Sequence, residues 1–130
     1  MKRTKLRKHS KSPISKLKKE AWRVFSLFIR ARDKYICFTC DKDLKGSRTL
    51  HAGHFISRRV NATLFDEINV AAQCMYCNLY NYGASGEFAR RLIKKYGQKE
   101  FNNLLERGRE YKQWDEKGLR EIVSKYEPKA

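Results

Sequence analysis

Residues 37–40 read Cys37-Phe38-Thr39-Cys40 and residues 74–77 read Cys74-Met75-Tyr76-Cys77; these four are all the cysteines of the 130-residue chain. Their reading decides the fold. Each CxxC pair places two thiolates on one side of a tight turn, about 2.3 Å from a shared zinc, and four thiolates close a tetrahedral shell. A redox CxxC is the rival reading, but neither pair stands at the strand-to-helix start of a βαβ unit. Four separately buried thiols are the bland alternative. Zinc held by Cys37, Cys40, Cys74 and Cys77 is structural: it clips the chain near 37 to the turn near 74 and supplies folding energy that a small core lacks.

Working inward, the segment between the two pairs carries His51-Ala52-Gly53-His54-Phe55, and Asn78 follows Cys77 directly. The remaining histidine, His9, lies in a basic N-terminal arm. Imidazole suits metal ligation and general-base catalysis near neutral pH. A zinc that draws the two turns together pins Asn78 beside the shell, facing the hairpin end that carries His51 and His54. The bland reading is that these side chains satisfy loop backbone.

Working outward, Ser12-Pro13 reads as helix cap and first helical position. Leu17, Ala21, Trp22, Val24, Phe25, Phe28 and Ile29 then follow at spacings of three and four, which predicts an amphipathic helix over about 13–33 with its aromatics in the core. Residues 35–39 alternate and predict a strand, with 49–52 pairing back as the second strand of a hairpin across turn-forming residues 41–47. Residues 53–73 lack periodicity and read as loop. A short helix is expected from Cys74 to Tyr80. Three more follow: one capped by Ser85 or Gly86 and ended by Gly97, one around Phe101 and Leu104 ended near Gly108, and one capped by Asp115. The expected class is α+β, mostly helical. Residues 1–11 form a disordered basic arm and 12–130 a single domain, divided into an N-terminal helix (12–34), a core with the zinc site (35–82) and C-terminal helices (83–130).

Charge names the partner class. Formal net charge is +16, and residues 1–19 hold nine Lys/Arg and no acid. Residues 98–130 hold eight basic and seven acidic residues, so the first 97 carry +15 of the total. Such a surplus calls for a polyanion, and nucleic acid fits because each phosphate contact releases a counterion. Lys2, Arg3, Lys5, Arg7 and Lys8 of the arm are candidate contacts. Arg58 and Arg59 in the body either hold a flanking phosphate or are solvated surface. An anionic membrane surface competes less well, because the arm has few large apolar residues to sink into lipid. No apolar run reaches the roughly 20 residues of a membrane span, and the basic N-terminus lacks a signal peptide's apolar core. The cytosol is the expected compartment.

The order CxxC, HxxH, Asn, CxxC-Asn resembles a zinc-clipped HNH (ββα-metal, His-Me finger) nuclease. More closely, it resembles the phage lambda NinG (Rap) recombination nuclease family. The matching text is Phe28-Ile-Arg-Ala-Arg-Asp33, Cys37-Phe-Thr-Cys40, His51-Ala-Gly-His-Phe55, Leu64-Phe-Asp-Glu-Ile-Asn69 and Gln73-Cys-Met-Tyr-Cys-Asn78. The layout is also similar to the recombination endonuclease VII family. The resemblance implies a phage-encoded DNA endonuclease, working in the host cytoplasm on branched recombination intermediates such as Holliday junctions and D-loops. It implies His54 as general base, Asn69 as a loop-orienting residue and Asn78 as a ligand of a catalytic Mg²⁺ or Mn²⁺. Gly53 stands where many HNH enzymes have a metal-binding Asp, so the first ligand is His51 or, in its place, Asp66 or Glu67. Two incisions per junction imply a homodimer, with the C-terminal helices as an interface, and phage or host recombination proteins are further expected partners. Two rival functions remain: a non-catalytic zinc-dependent DNA-binding recombination protein, and an HNH nicking enzyme acting on duplex DNA.

Overall fold

The computed structural model describes residues 12–129. The expected arm and its contacts Lys2, Arg3, Lys5, Arg7 and Lys8 lie outside the described residues.

Helix α1 spans Pro13–Arg32 and starts as its sequence dictates. The Ser12 hydroxyl accepts from the Ser15 amide at 3.1 Å, and Pro13 takes the first turn, where a missing N–H costs nothing. Its buried stripe, Ala21, Val24, Phe25 and Ile29, packs on α4 (Glu116–Tyr126) and on Leu64, Phe65 and Val70. Phe25 meets Phe65 and Tyr126 edge-on at 5.7 and 4.8 Å, the favoured aromatic geometry. Helix α4 is capped by Asp115, whose carboxylate accepts from the Gly118 amide at 2.7 Å. Helices α2 (Ser85–Tyr96) and α3 (Gln98–Arg107) make a second cluster with Phe88, Leu92, Phe101 and Leu104 against Ala71. The expected cap at Ser85 or Gly86 is corrected: Ser85 is already helical, and the capping position is Ala84, in left-handed backbone.

The sheet differs from expectation. Strand β1 (Leu50–His54) pairs antiparallel with β2 (Val70–Cys74), setting His51 opposite Gln73 and His54 opposite Val70. Residues 35–39 form no strand; they turn, with a single bridge from Ile36 to Asp43. The reason is geometric. Successive strand residues face opposite ways, so Cys37 and Cys40 in a strand point to opposite faces and cannot share a metal. The Lys42 carbonyl accepts from the Cys37 amide at 2.9 Å and closes a knuckle instead. The loop expected over 53–73 is likewise shortened, because its last residues form β2. That strand, Val-Ala-Ala-Gln-Cys, is buried at every position and so lacks the polar alternation that marks a half-exposed strand.

Two residues at the end of α1 anchor this sheet. Arg32 donates to the carbonyls of Glu67 (2.6 Å) and Val70 (2.9 Å), and the Asp33 carboxylate accepts from the Ala72 amide at 2.8 Å. The Ala72 carbonyl in turn accepts from the Phe38 amide at 2.8 Å, fixing the first knuckle against β2. Among the described residues no helix is long and apolar enough to cross a membrane.

Candidate metal centre and active-site cleft

The four cysteine sulfurs converge. Cys37, Cys40, Cys74 and Cys77 place their Sγ atoms within 4.8 Å of one another. Cys40 and Cys74 lie 3.7 Å apart, close to the edge of about 3.8 Å that a tetrahedron of 2.3 Å bonds requires. The Cys77 amide donates to Cys74 Sγ at 3.4 Å, the contact a thiolate ligand attracts. Cys37, Cys74 and Cys77 are buried and Cys40 is exposed, so the cluster opens to solvent on one side. Burial raises the Cys37 thiol, but hydrogen bonds from Thr39 and from the Cys74 backbone outweigh it and bring it down to about 6. Burial pushes Cys77 up to about 12. An all-sulfur shell suits a soft, tetrahedral ion, and the residues fit a structural metal.

The second knuckle continues into a π-helical turn, Tyr76–Tyr80, which carries Asn78 toward β1. Its amide Nδ2 donates to His51 Nδ1 at 3.1 Å. His51, His54 and Asn78 line one cleft of about 410 Å³, together with Trp22, Arg30 and Arg58. Gly53, between the histidines, has no room for a side chain: a Cβ there overlaps the Gln73 carboxamide oxygen and comes within 3.1 Å of Asn78 Oδ1. An acid at that position would require the Gln73 carboxamide to move aside.

His54 is held from two sides. Its Nε2 lies 3.0 Å from the Leu64 carbonyl, and its ring stacks on Trp22 at 4.8 Å between centroids, 22° from parallel. A carbonyl only accepts, so Nε2 carries the proton and donates, and Nδ1 is the unprotonated nitrogen. Burial lowers the pKa of His54, and the positive charge of Arg58 adds to this against the carbonyl contact, so the ring is neutral at neutral pH.

Asn69 is fully buried and ties the intervening loop together. Its carboxamide accepts from the Ile56 amide at 2.6 Å and donates to the carbonyls of Ile56 and Thr63, each at 3.0 Å. Thr63 adjoins Leu64, whose carbonyl orients His54. The two acids left open as ligands are committed elsewhere. Asp66 pairs with Arg107 at 2.7 Å and caps the turn into Asn69, while Glu67 accepts from the Tyr126 hydroxyl at 3.1 Å. Neither lines the cleft, nor does Arg59.

Three cleft residues escaped the sequence reading. Trp22, Ser26 and Arg30 stand at i, i+4 and i+8 on α1, one above another on a single helix face. That spacing was the available signal, and the helix's apolar stripe hid it. Lys18 and Lys19 line an adjoining depression with Trp22 and Arg58 and extend the positive surface. A larger depression of about 600 Å³, lined by Lys34, Arg90, Arg91, Lys94 and Lys95 among others, is also basic but holds no histidine. Chemistry, not size, selects the smaller cleft.

Fold and site together define a mostly helical protein with a two-stranded sheet and a four-cysteine cluster able to bind metal, consistent with a ββα-metal arrangement. The profile of the bacteriophage lambda NinG protein family matches residues 1–130, and the chain belongs to that family. Protein ninG of Escherichia phage 933W is 31% identical over 127 residues, covering 96% of this chain and 62% of that protein. Protein ninG of Escherichia phage lambda is 28% identical over 127 residues, covering 96% and 61%. The same protein of Salmonella phage P22 stands at 28%, 96% and 61%. The chain thus spans about 62% of the length of the relatives it matches. No solved structure matches it.

Proposed function

We propose that the chain is a metal-dependent, structure-selective DNA endonuclease of the HNH type, acting on branched recombination intermediates in the cytoplasm of a phage-infected bacterium. One observation carries this reading: a neutral, tethered imidazole shares a cleft with a touching histidine–asparagine pair and with arginines. His54 takes a proton from a water through Nδ1, because Nε2 is engaged at Leu64. His51 and Asn78 would hold Mg²⁺ or Mn²⁺, for which few protein ligands suffice. When bound, that ion stabilises the phosphorane charge and the departing 3′ oxygen. Arg30 and Arg58 neutralise phosphates on either side of the cut. Asn69 keeps the 63–64 backbone in place, and through it the ring of His54. The four-cysteine zinc takes no part beyond holding Asn78 near β1. Two incisions across a junction require two copies of the chain.

The test is cleavage of a synthetic four-way junction and a matched linear duplex with Mg²⁺ or Mn²⁺. The wild-type chain cuts the junction. His54→Ala folds, binds it and cuts about 10²- to 10⁴-fold more slowly, the usual contribution of a positioned base. Undiminished cleavage by His54→Ala removes the base assignment, and a wild-type chain that binds without cutting is a DNA-binding protein only.

A further inference from the structure

Residues 68–86 contain no charged side chain, in a chain that is 34% charged. The run includes β2 and the second knuckle, which are buried, and then emerges as a ridge. Tyr76, Leu79, Tyr80 and Tyr82 are 64%, 56%, 68% and 92% exposed, with Met75 beside them at 37%. Large exposed side chains gathered on one short segment mark an interaction surface rather than chance. The turn that ends the ridge is held in costly backbone: Tyr82, Gly83 and Ala84 all have positive φ, at 50°, 77° and 51°. Two of these are not glycine, and such conformations persist only where the surroundings impose them. The buried Gln73 tethers this turn, donating to the Gly83 carbonyl at 2.8 Å and to Thr39 of the first knuckle at 3.1 Å. The segment is thus braced to hold its tyrosines outward.

The ridge adjoins the cleft, since Asn78 and Leu79 line it and their neighbours Tyr76 and Tyr80 are exposed on the same turn. A phosphate backbone gains nothing from this neutral surface, whereas the Arg30 and Arg58 side chains of the adjoining cleft suit it. Unstacked nucleobases do gain, because every base has a π-face and stacks on aromatic rings whatever the sequence. Apolar and aromatic wedges beside a cationic groove are also how proteins exploit a helix that opens.

We propose that the Tyr76–Tyr82 ridge receives the unstacked bases at a DNA branch point and so confers preference for branched over continuous duplex. The inference rests on the nuclease reading for the location of the scissile phosphate alone.

The experiment measures affinity of the full chain for a four-way junction and a matched linear duplex, without added divalent cation. Tyr80→Ala/Tyr82→Ala loses at least about fivefold in junction affinity, from the known worth of a base–aromatic stack, and changes duplex affinity less than twofold. Tyr80→Phe/Tyr82→Phe keeps wild-type selectivity, because the ring acts and not the hydroxyl. Ultraviolet cross-linking of junctions carrying 5-iodouracil at the branch yields adducts on Tyr80 or Tyr82 in the wild type. Unchanged selectivity in the alanine variant, equal losses on both DNAs, or a shift from dimer to monomer with selectivity intact each overturns the proposal, the last assigning the ridge to a second copy of the chain. Cleavage scored in parallel with Mg²⁺ keeps the two readings apart: selective binding lost in the variant by a wild type that never cuts removes the nuclease and leaves the ridge.

Discussion

The two walls of the cleft are held up by different physics. On one side, α1 and α4 enclose an aromatic core in which Ala21, Val24, Phe25, Ile29, Leu119 and Tyr126 are almost wholly buried. On the other, the two knuckles enclose a cluster of Leu44, Leu50, Ala72 and three of the cysteines, and little else. The first wall resembles an ordinary domain interior, where close packing of large side chains carries stability. The second has too few apolar atoms to fix two turns that stand 33 residues apart in the chain. Hydrophobic burial positions Trp22 and Arg30; Asn78 follows directly on the second cysteine pair, whose sulfurs converge with those of the first in a cluster able to bind metal. His54 sits on the seam, stacked on one wall and carried by the strand that pairs with the other.

That division is broken most forcefully by removing the metal. Structural zinc contributes about 10–16 kcal/mol of apparent binding energy at neutral pH, as much as a whole domain's stability. Cys74→Ser, or exhaustive chelation of the wild type, should release zinc in a colorimetric assay and sharply lower the thermal midpoint, leaving only a residual transition from the helical wall. A zinc-free Cys74→Ser protein that melts like the wild type would show that the second wall stands on packing alone.

The helical wall should respond by a smaller, graded amount. Phe25 is fully buried between Phe65 and Tyr126, and its truncation leaves a cavity that these rings cannot close. Phe25→Ala should cost about 3–5 kcal/mol in urea unfolding while the zinc content stays at one per chain. Loss of zinc in that variant would mean that the two walls fold as one unit and that the comparison is false.

The walls also differ in how far the sequence revealed them. Capping and periodicity made α1 legible, because Ser12, Pro13 and the three-to-four spacing of its apolar residues act locally. The same holds for the Asp115 cap and for Gly97 at the end of α2. The sheet was illegible for two reasons. In β2 every residue is buried, which erases alternation, and the knuckle at 37–40 borrows strand-like composition while convergence of its two sulfurs requires a turn. The four cysteines were legible because spacing alone encodes their convergence. The convergence of His51 with Asn78 followed from the same spacing, whereas the face of α1 that joins them, Trp22, Ser26 and Arg30, was masked by its neighbours in the core. Asp66 and Glu67 were candidates from composition, and the structure engages them with the distant partners Arg107 and Tyr126, outside the cleft.

The smallest effect lies at the seam and is a matter of sign. Burial against Trp22 lowers the pKa of His54 below its unfolded value of about 6.5, and Arg58 lowers it further. Above that value the ring is neutral in both states and adds no slope to stability. As pH falls through it, the unfolded chain binds the proton while the folded chain refuses it, so stability declines until the folded His54 also titrates. In the zinc-loaded protein, urea unfolding between pH 7.5 and 5.5 should therefore show a decline that His54→Gln lessens. The same shift places the acid limb of kcat/KM for junction cleavage below pH 6.5, since the free enzyme's base is what that limb reports. A limb above pH 6.5 would require a partner that stabilises imidazolium, and the groups facing His54, a tryptophan, an arginine and a carbonyl already satisfied by the neutral ring, offer no anion to do so.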